Sequence, residues 1–334
     1  MRADSRWDDL LCCPACLGVL ALAPGATAPD GHIMTGTLNC TVCATAYSIQ
    51  RGVPRLAIQA MAGNVASTVD AFGYQWNRAN ERIRDPRFNA PALLLDFIHP
   101  VEPDWFRDKT VLDAGCGSGR FSLAAASFGA ATVVGIDLSA AVDAAFDNTR
   151  HLPSVLIVQA DIARPPLRQV FDYAFSVGVL HHTADPRQSF LRLAGRVKPG
   201  GSLSAWVYAR EGNGWIIHVV NPLRRITSRL PRPVLLAAAY AAAVPLWLLT
   251  HTVYRRRASP PAWRRHLFYF EYLSFLSQFD LRSHAFVIFD HAGPVIAEYI
   301  RGAAFRDWFD TAGLTDVAIT MRYGSGWRGF GRLP

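Results

Sequence analysis

Seven residues, Asp113, Ala114, Gly115, Cys116, Gly117, Ser118 and Gly119, follow the apolar run Thr110 to Leu112 and precede the helix-forming stretch Arg120 to Ala126. Glycines at alternate positions let the chain turn sharply out of a strand and leave bare backbone for a ligand to approach. The loop therefore predicts a strand-turn-helix unit of an open α/β sheet, with a nucleoside-bearing ligand at the strand's carboxyl edge. Two phosphate cradles are excluded. Arg120 stands where a dinucleotide fingerprint needs glycine, and no Gly-Lys-Ser/Thr ending follows. Asp113 repels phosphate and suits a cationic or hydroxyl-bearing ligand, so the ligand read here is not a pyrophosphate.

Two further acids follow at strand ends. Val133 to Asp137 reads as a buried strand whose terminal carboxylate suits ribose hydroxyls, and Val155 to Gln159 is followed by Asp161, placed to accept from an exocyclic amine. Together with the strand from Phe171 to Val177, the pair His181 and His182, and Lys198 to Gly201, this ordered series resembles the class I S-adenosylmethionine-dependent methyltransferases over residues 110–208. The resemblance implies a doubly wound, mostly parallel seven-stranded sheet and S-adenosylmethionine as cofactor. It implies cofactor contacts from Asp113, Ala114, Gly115, Cys116, Gly117, Gly119, Asp137, Leu138, Asp161, Ile162 and Val177. Tyr74 and Trp76, in the aromatic cluster Phe72 to Trp76, match residues that cover the cofactor in similar fused enzymes; ordinary packing of a helix on the sheet is the other reading.

Cysteine spacing supplies a second module. Cys13 and Cys16 form one C-x-x-C knuckle and Cys40 and Cys43 another, across a turn-rich stretch. Four thiolates satisfy tetrahedral zinc, and a metal replaces the core that about 55 residues struggle to build. Cys12 competes with Cys13 on spacing alone; Cys13 is preferred. The block resembles the small zinc-ribbon domain of methyltransferase activators, which implies a structural metal and a docking role. Met1 to Asp9 lacks a secretory pattern, and the expected location is the cytoplasm, with peripheral contact at the inner membrane face as an added expectation. The expected boundaries are 1–58 for the ribbon, 59–108 for linker and helices, and 109–334 for the catalytic domain with a helical insertion at 209–301.

The chain carries +8 overall, yet residues 196–265 hold twelve arginines and lysines against the single acid Glu211, so the positive field is local. Within that segment Pro233 to Tyr254 has no charged residue and contains six alanines and Pro245. Three readings stand: an apolar lid over a hydrophobic acceptor, a helix in the membrane interface, or a span. His181 and His182, at the edge where the acceptor approaches, are the candidate general bases; capping of the next helix is the competing reading. The leading expectation is methyl transfer, at oxygen or carbon, to a lipophilic small molecule or a membrane-linked glycan or lipid precursor. An rRNA or tRNA methyltransferase is the alternative, and a noncatalytic partner-binding scaffold the second.

Overall fold

The computed structural model describes all residues except 3–6, 58–62, 84–88 and 256–261, so Arg256 and Arg257 of the basic flank lie outside the described residues. The ribbon is a four-stranded antiparallel sheet in sequential order: β1 (Leu20–Pro24), β2 (Thr35–Cys40), β3 (Ala46–Gln50) and β4 (Val53–Pro54). Alternation along β2 and β3 turns Leu38, Tyr47 and Ile49 inward. These side chains belong to the same apolar cluster as Leu112, Val134 and Leu156 of the large sheet, so the ribbon borrows a core it is too small to build.

Two helices follow, α1 (Gly63–Ile83) and α2 (Ala90–Ile98), before the alternating core begins. β5 (Thr110–Ala114), β6 (Thr132–Asp137), β7 (Val155–Gln159), β8 (Phe171–Val177) and β9 (Val197–Tyr208) are mutually parallel. Helices α3 (Arg120–Ser127), α4 (Ala141–Thr149) and α5 (Pro186–Ala194) intervene. Fully buried Val111, Leu112, Val133 and Val134 give β5 and β6 the two-sided apolar character of central parallel strands.

Between β9 and the last helix, α10 (Gly302–Thr311), come α6 (Asn221–Thr227), α7 (Arg232–Leu249), α8 (Phe270–Leu276) and α9 (Leu281–Ala292). Strands β10 (Thr315–Arg322) and β11 (Gly326–Arg332) close the sheet in the order β10-β11-β9-β8-β5-β6-β7, with β11 antiparallel to both neighbours. The seven-stranded doubly wound sheet with a small N-terminal module matches the expectation.

The ribbon continues the β7 edge. Arg55 pairs in parallel with Gln159, the Leu56 amide donates to the Gln159 carbonyl at 2.8 Å, and Leu11 bridges Leu167. Arg55 also donates to Asp143 at 2.5 Å, and Arg150 pairs with Asp30. An otherwise exposed strand edge is thereby covered.

Candidate functional site

At the carboxyl edge of β5, Gly115 (φ +89°) and Gly117 (φ +53°) adopt left-handed conformations. A Cβ on Gly115 would fall 2.2 Å from Val179, and one on Gly117 would press on the Trp76 ring at 3.3 Å. The loop is held from below, where the Asn148 side-chain amide donates to the Ser118 carbonyl at 2.9 Å.

A cavity of about 380 Å³ opens over this loop, lined on one side by Gly115, Cys116, Gly117, Asp137, Leu138, Asp161, Ile162 and Val177, with Trp76 of α1 above. Asp137 is tied in place: Oδ2 accepts from the Gly117 amide at 2.9 Å, and Oδ1 accepts from the Ser139 amide at 2.8 Å and hydroxyl at 2.7 Å. Burial lifts its pKa, while the Ser139 and Gly117 bonds oppose the lift. Asp161 Oδ1 accepts from the Ala163 amide at 2.8 Å. Arg120 lies over Trp76 at 4.7 Å, so the aromatic lid is fixed by a cation on the loop's own helix. Bare backbone, two rim carboxylates and an aromatic cover fit an adenosine-bearing cation.

Not every expected residue reaches this wall. Asp113 is 2% exposed and lies behind the loop, accepting from the Ser122 hydroxyl of α3 at 2.7 Å, and Ala114 accepts from the Ser176 hydroxyl of β8 at 2.9 Å; neither lines the cavity. Gly119 caps α3 at φ +82°. Tyr74, two positions from Trp76 and so on nearly the opposite side of α1, stacks on Phe289 of α9 instead of over the loop.

Burial pushes the Asp113 carboxyl up to about 7, with Asp137 adding to the shift and Ser122 opposing it. The folded state therefore prefers the protonated acid. This contribution to stability is complete below about pH 4, the unfolded value, and is lost as pH rises through the folded value. The ligand-free chain should melt at lower temperature at about pH 8 than at about pH 5.5, and Asp113→Asn should flatten that slope. Thermal denaturation across the range checks it; parallel slopes would remove Asp113 as the cause.

The far side of the cavity is built by β9 and the insertion. Tyr208, the last residue of β9, donates to Asp290 Oδ2 at 2.7 Å, and its ring stacks between His291 and Tyr299 at 5.5 and 5.6 Å. Tyr269, Tyr272 and Phe275 complete an aromatic wall. Burial and the neighbouring Asp290 raise Tyr208, and burial raises Tyr272, so both stay neutral phenols. Arg322 joins the wall, donating to Asp96 at 2.6 Å with its guanidinium 4.0 Å from the Phe97 ring centre.

The histidine pair divides. His182 lines the cavity, and its Nδ1–H donates to the Ile296 carbonyl at 2.6 Å; burial pushes its pKa down to about 4, which leaves a neutral ring. His181 is fully buried beneath Tyr208, with ring centres 3.9 Å apart and both nitrogens unpartnered among the described residues. Helix α7, charge-free after Arg232, contributes nothing to the cavity wall. It packs Leu235 and Ala239 around Phe289, and α8 and α9 face the cavity in its place. The acceptor-side residues Tyr208 and Asp290 went unread in the sequence; position at a strand's carboxyl end was the available signal for Tyr208, and Asp290 had none.

In the ribbon, the sulfurs of Cys13, Cys16, Cys40 and Cys43 lie within 4.8 Å of one another. Sulfurs of Cys13 and Cys43 are 3.7 Å apart, those of Cys16 and Cys40 3.5 Å, close to the roughly 3.8 Å edge of a tetrahedron with zinc–sulfur bonds near 2.3 Å. Amides of Val42 and Cys43 point at Cys40 Sγ, as in a metal knuckle. Cys12 instead faces the large domain, its amide bonded to the Pro166 carbonyl.

Comparison with known proteins matches residues 112–205 to the Methyltransferase domain family and residues 9–52 to the Trm112p-like protein family. A tRNA U34 carboxymethyltransferase of Pseudoalteromonas translucida is 33% identical over 123 residues, covering 36% of this chain and 37% of that protein. The enzyme of the same name from Ruthia magnifica is 34% identical over 114 residues, covering 33% and 34%. The chain thus spans about a third of the length of the curated relatives it matches. The solved complex between the Haloferax volcanii Trm112 methyltransferase activator and a methyltransferase aligns with 83% of this chain and 100% of that one, at 16% identity and a TM-score of 0.45. These relatives correct one expectation: they are named for a tRNA nucleoside, so the RNA alternative displaces the lipophilic or lipid-linked acceptor. Residues 112–205, with the sheet and acid-tipped glycine loop around them, are a class I S-adenosylmethionine-dependent methyltransferase domain, preceded at residues 9–52 by a Trm112p-like domain.

Proposed function

We propose that the protein transfers a methyl group from S-adenosylmethionine to a tRNA nucleoside in the cytoplasm. The observation that carries this reading is one continuous cavity running from the glycine loop, Asp137 and Asp161 to a wall of stacked rings around Tyr208. A planar base turned out of its stack suits a cavity walled by such rings, and its entry excludes water from the reacting atoms. The relatives' substrate agrees with this chemistry. The exposed rings of Trp263 and Phe268 supply a stacking-capable surface for the rest of the RNA.

The cofactor supplies a methyl group on a sulfonium, a leaving group that departs as a neutral thioether. Asp137 and Asp161 would hold its hydroxyl- and amine-bearing end, with Trp76 over it. On the acceptor side Asp290, which accepts from the Tyr208 hydroxyl, would be the carboxylate that takes the acceptor's proton. His182, neutral and fixed to Ile296, holds the loop after β8. In the ribbon, the four cysteines would hold a structural zinc with no position left open for catalysis.

Incubation with methyl-labelled cofactor and undermodified bulk tRNA should place ribonuclease-sensitive label in the RNA. Binding of that tRNA should weaken at least about tenfold between low and physiological salt. Label that survives ribonuclease and leaves the RNA unmarked would overturn the reading.

A further inference from the structure

Helices α6 and α7, with the helical turn Ile216–Val220 that leads into α6 from Trp215, present an outward surface that neither the cavity nor the core uses. Trp215, Val219, Leu223 and Ile226, spaced by four, four and three residues, are between 37% and 66% exposed. Val234, Tyr240, Val244, Leu248 and Leu249 continue the surface along α7 at 38% to 52% exposure. Helix Arg232–Tyr254 is long and apolar enough to cross a membrane, but its opposite stripe is committed. Leu235, Ala239 and Ala243 are buried, and the Thr250 hydroxyl bonds His284 Nε2 of α9 at 2.9 Å. Crossing a bilayer would tear that stripe from α9, so the helix lies flat.

Charge selects the occupant. No acid occurs between Glu211 and Glu271, and exposed Arg225, Arg229 and Arg255 border the apolar face. A second copy related by a two-fold axis would bring these like-charged borders together. RNA would satisfy the guanidiniums and leave the aliphatic side chains in water. An anionic lipid surface satisfies both: phosphates meet the arginines, acyl chains take the aliphatics, and an indole such as Trp215 suits the boundary.

We propose that the outer face of α6 and α7 docks on an anionic phospholipid bilayer, with both helices in the plane of the interface. The bilayer is a resting surface and not the methyl acceptor, and the inference stands on this face alone, apart from the tRNA reading.

The test is flotation of the full chain with vesicles of phosphatidylcholine alone or mixed with phosphatidylglycerol. Expected are flotation with the mixed vesicles at low salt, release at high salt, and at least about thirtyfold weaker binding for Arg225→Glu with Arg229→Glu. Leu223→Glu with Leu248→Glu should also abolish flotation. All four positions are exposed, and unchanged cofactor affinity certifies the variants' fold. Three results would overturn the docking: no flotation at low salt, a concentration-dependent dimer by light scattering that Leu223→Glu dissolves, or flotation indifferent to Leu248→Glu and abolished by excess tRNA. Labelling of tRNA without vesicles bears only on the catalytic reading.

Discussion

Replacing Asp137 with alanine is expected to weaken S-adenosylmethionine binding by at least about a hundredfold, the loss of two charge-assisted hydrogen bonds at about 1.5 kcal/mol each. Asp137 acts on both sides of the cavity wall. Outward it lines the cavity, and inward its two oxygens hold the Gly117 amide and both donors of Ser139. Alanine removes the ligand's acceptor and also frees the loop that carries the bare backbone. Asp137→Asn keeps one acceptor oxygen and should fall between. Asp113→Asn supplies the contrast, because its carboxyl faces Ser122 behind the loop, and affinity should change by less than about fivefold. Titration calorimetry on the three variants decides the matter. A wild-type affinity in Asp137→Ala would remove the carboxylate from the site.

The same pair of acids shows how far local sequence reaches. Glycines at 115 and 117 were legible because their need is local: both turn through left-handed backbone conformations, φ +89° and +53°. Strand ends were legible because buried parallel strands read as apolar runs stopping at an acid. Which way each acid points was not, since Asp113 and Asp137 end similar runs and only the packing of α3, through Ser122, draws the first one away. The acceptor wall depends on contacts no local pattern encodes; Tyr208 and Asp290 meet across 82 residues. Absence of charge in 233–254 marked α7 as unusual, yet it left open which of two apolar faces would be covered. The covering partner, Phe289 of α9, lies 54 and 50 residues beyond Leu235 and Ala239, and α9 occupies the place between α7 and the cavity.

Loss of the zinc proposed for the four ribbon cysteines should be the most destructive single change, and its effect should spread beyond the ribbon. Four thiolates at tetrahedral separations bind zinc with about 10 kcal/mol or more of free energy in small ribbons, and that energy is folding energy. In Cys40→Ser, or after prolonged chelation, β1 to β4 lose the clamp that joins their two knuckles. Leu38, Tyr47 and Ile49 sit in the same cluster as Leu112 and Leu156, so their release opens the large domain's core on that side. The β7 edge loses the Leu56 amide at Gln159 as well, and Gln159 is the residue whose side chain donates to the Leu138 carbonyl at 3.0 Å, beside the cofactor's wall. Elemental analysis should find stoichiometric zinc in the wild type and none in the variant. The melting midpoint should fall by at least about 8 °C, and cofactor affinity should drop about tenfold with every loop residue intact. A zinc-free wild type with an unchanged melt would instead mean that the shared apolar cluster alone holds the ribbon, and that its cysteines are ordinary thiols.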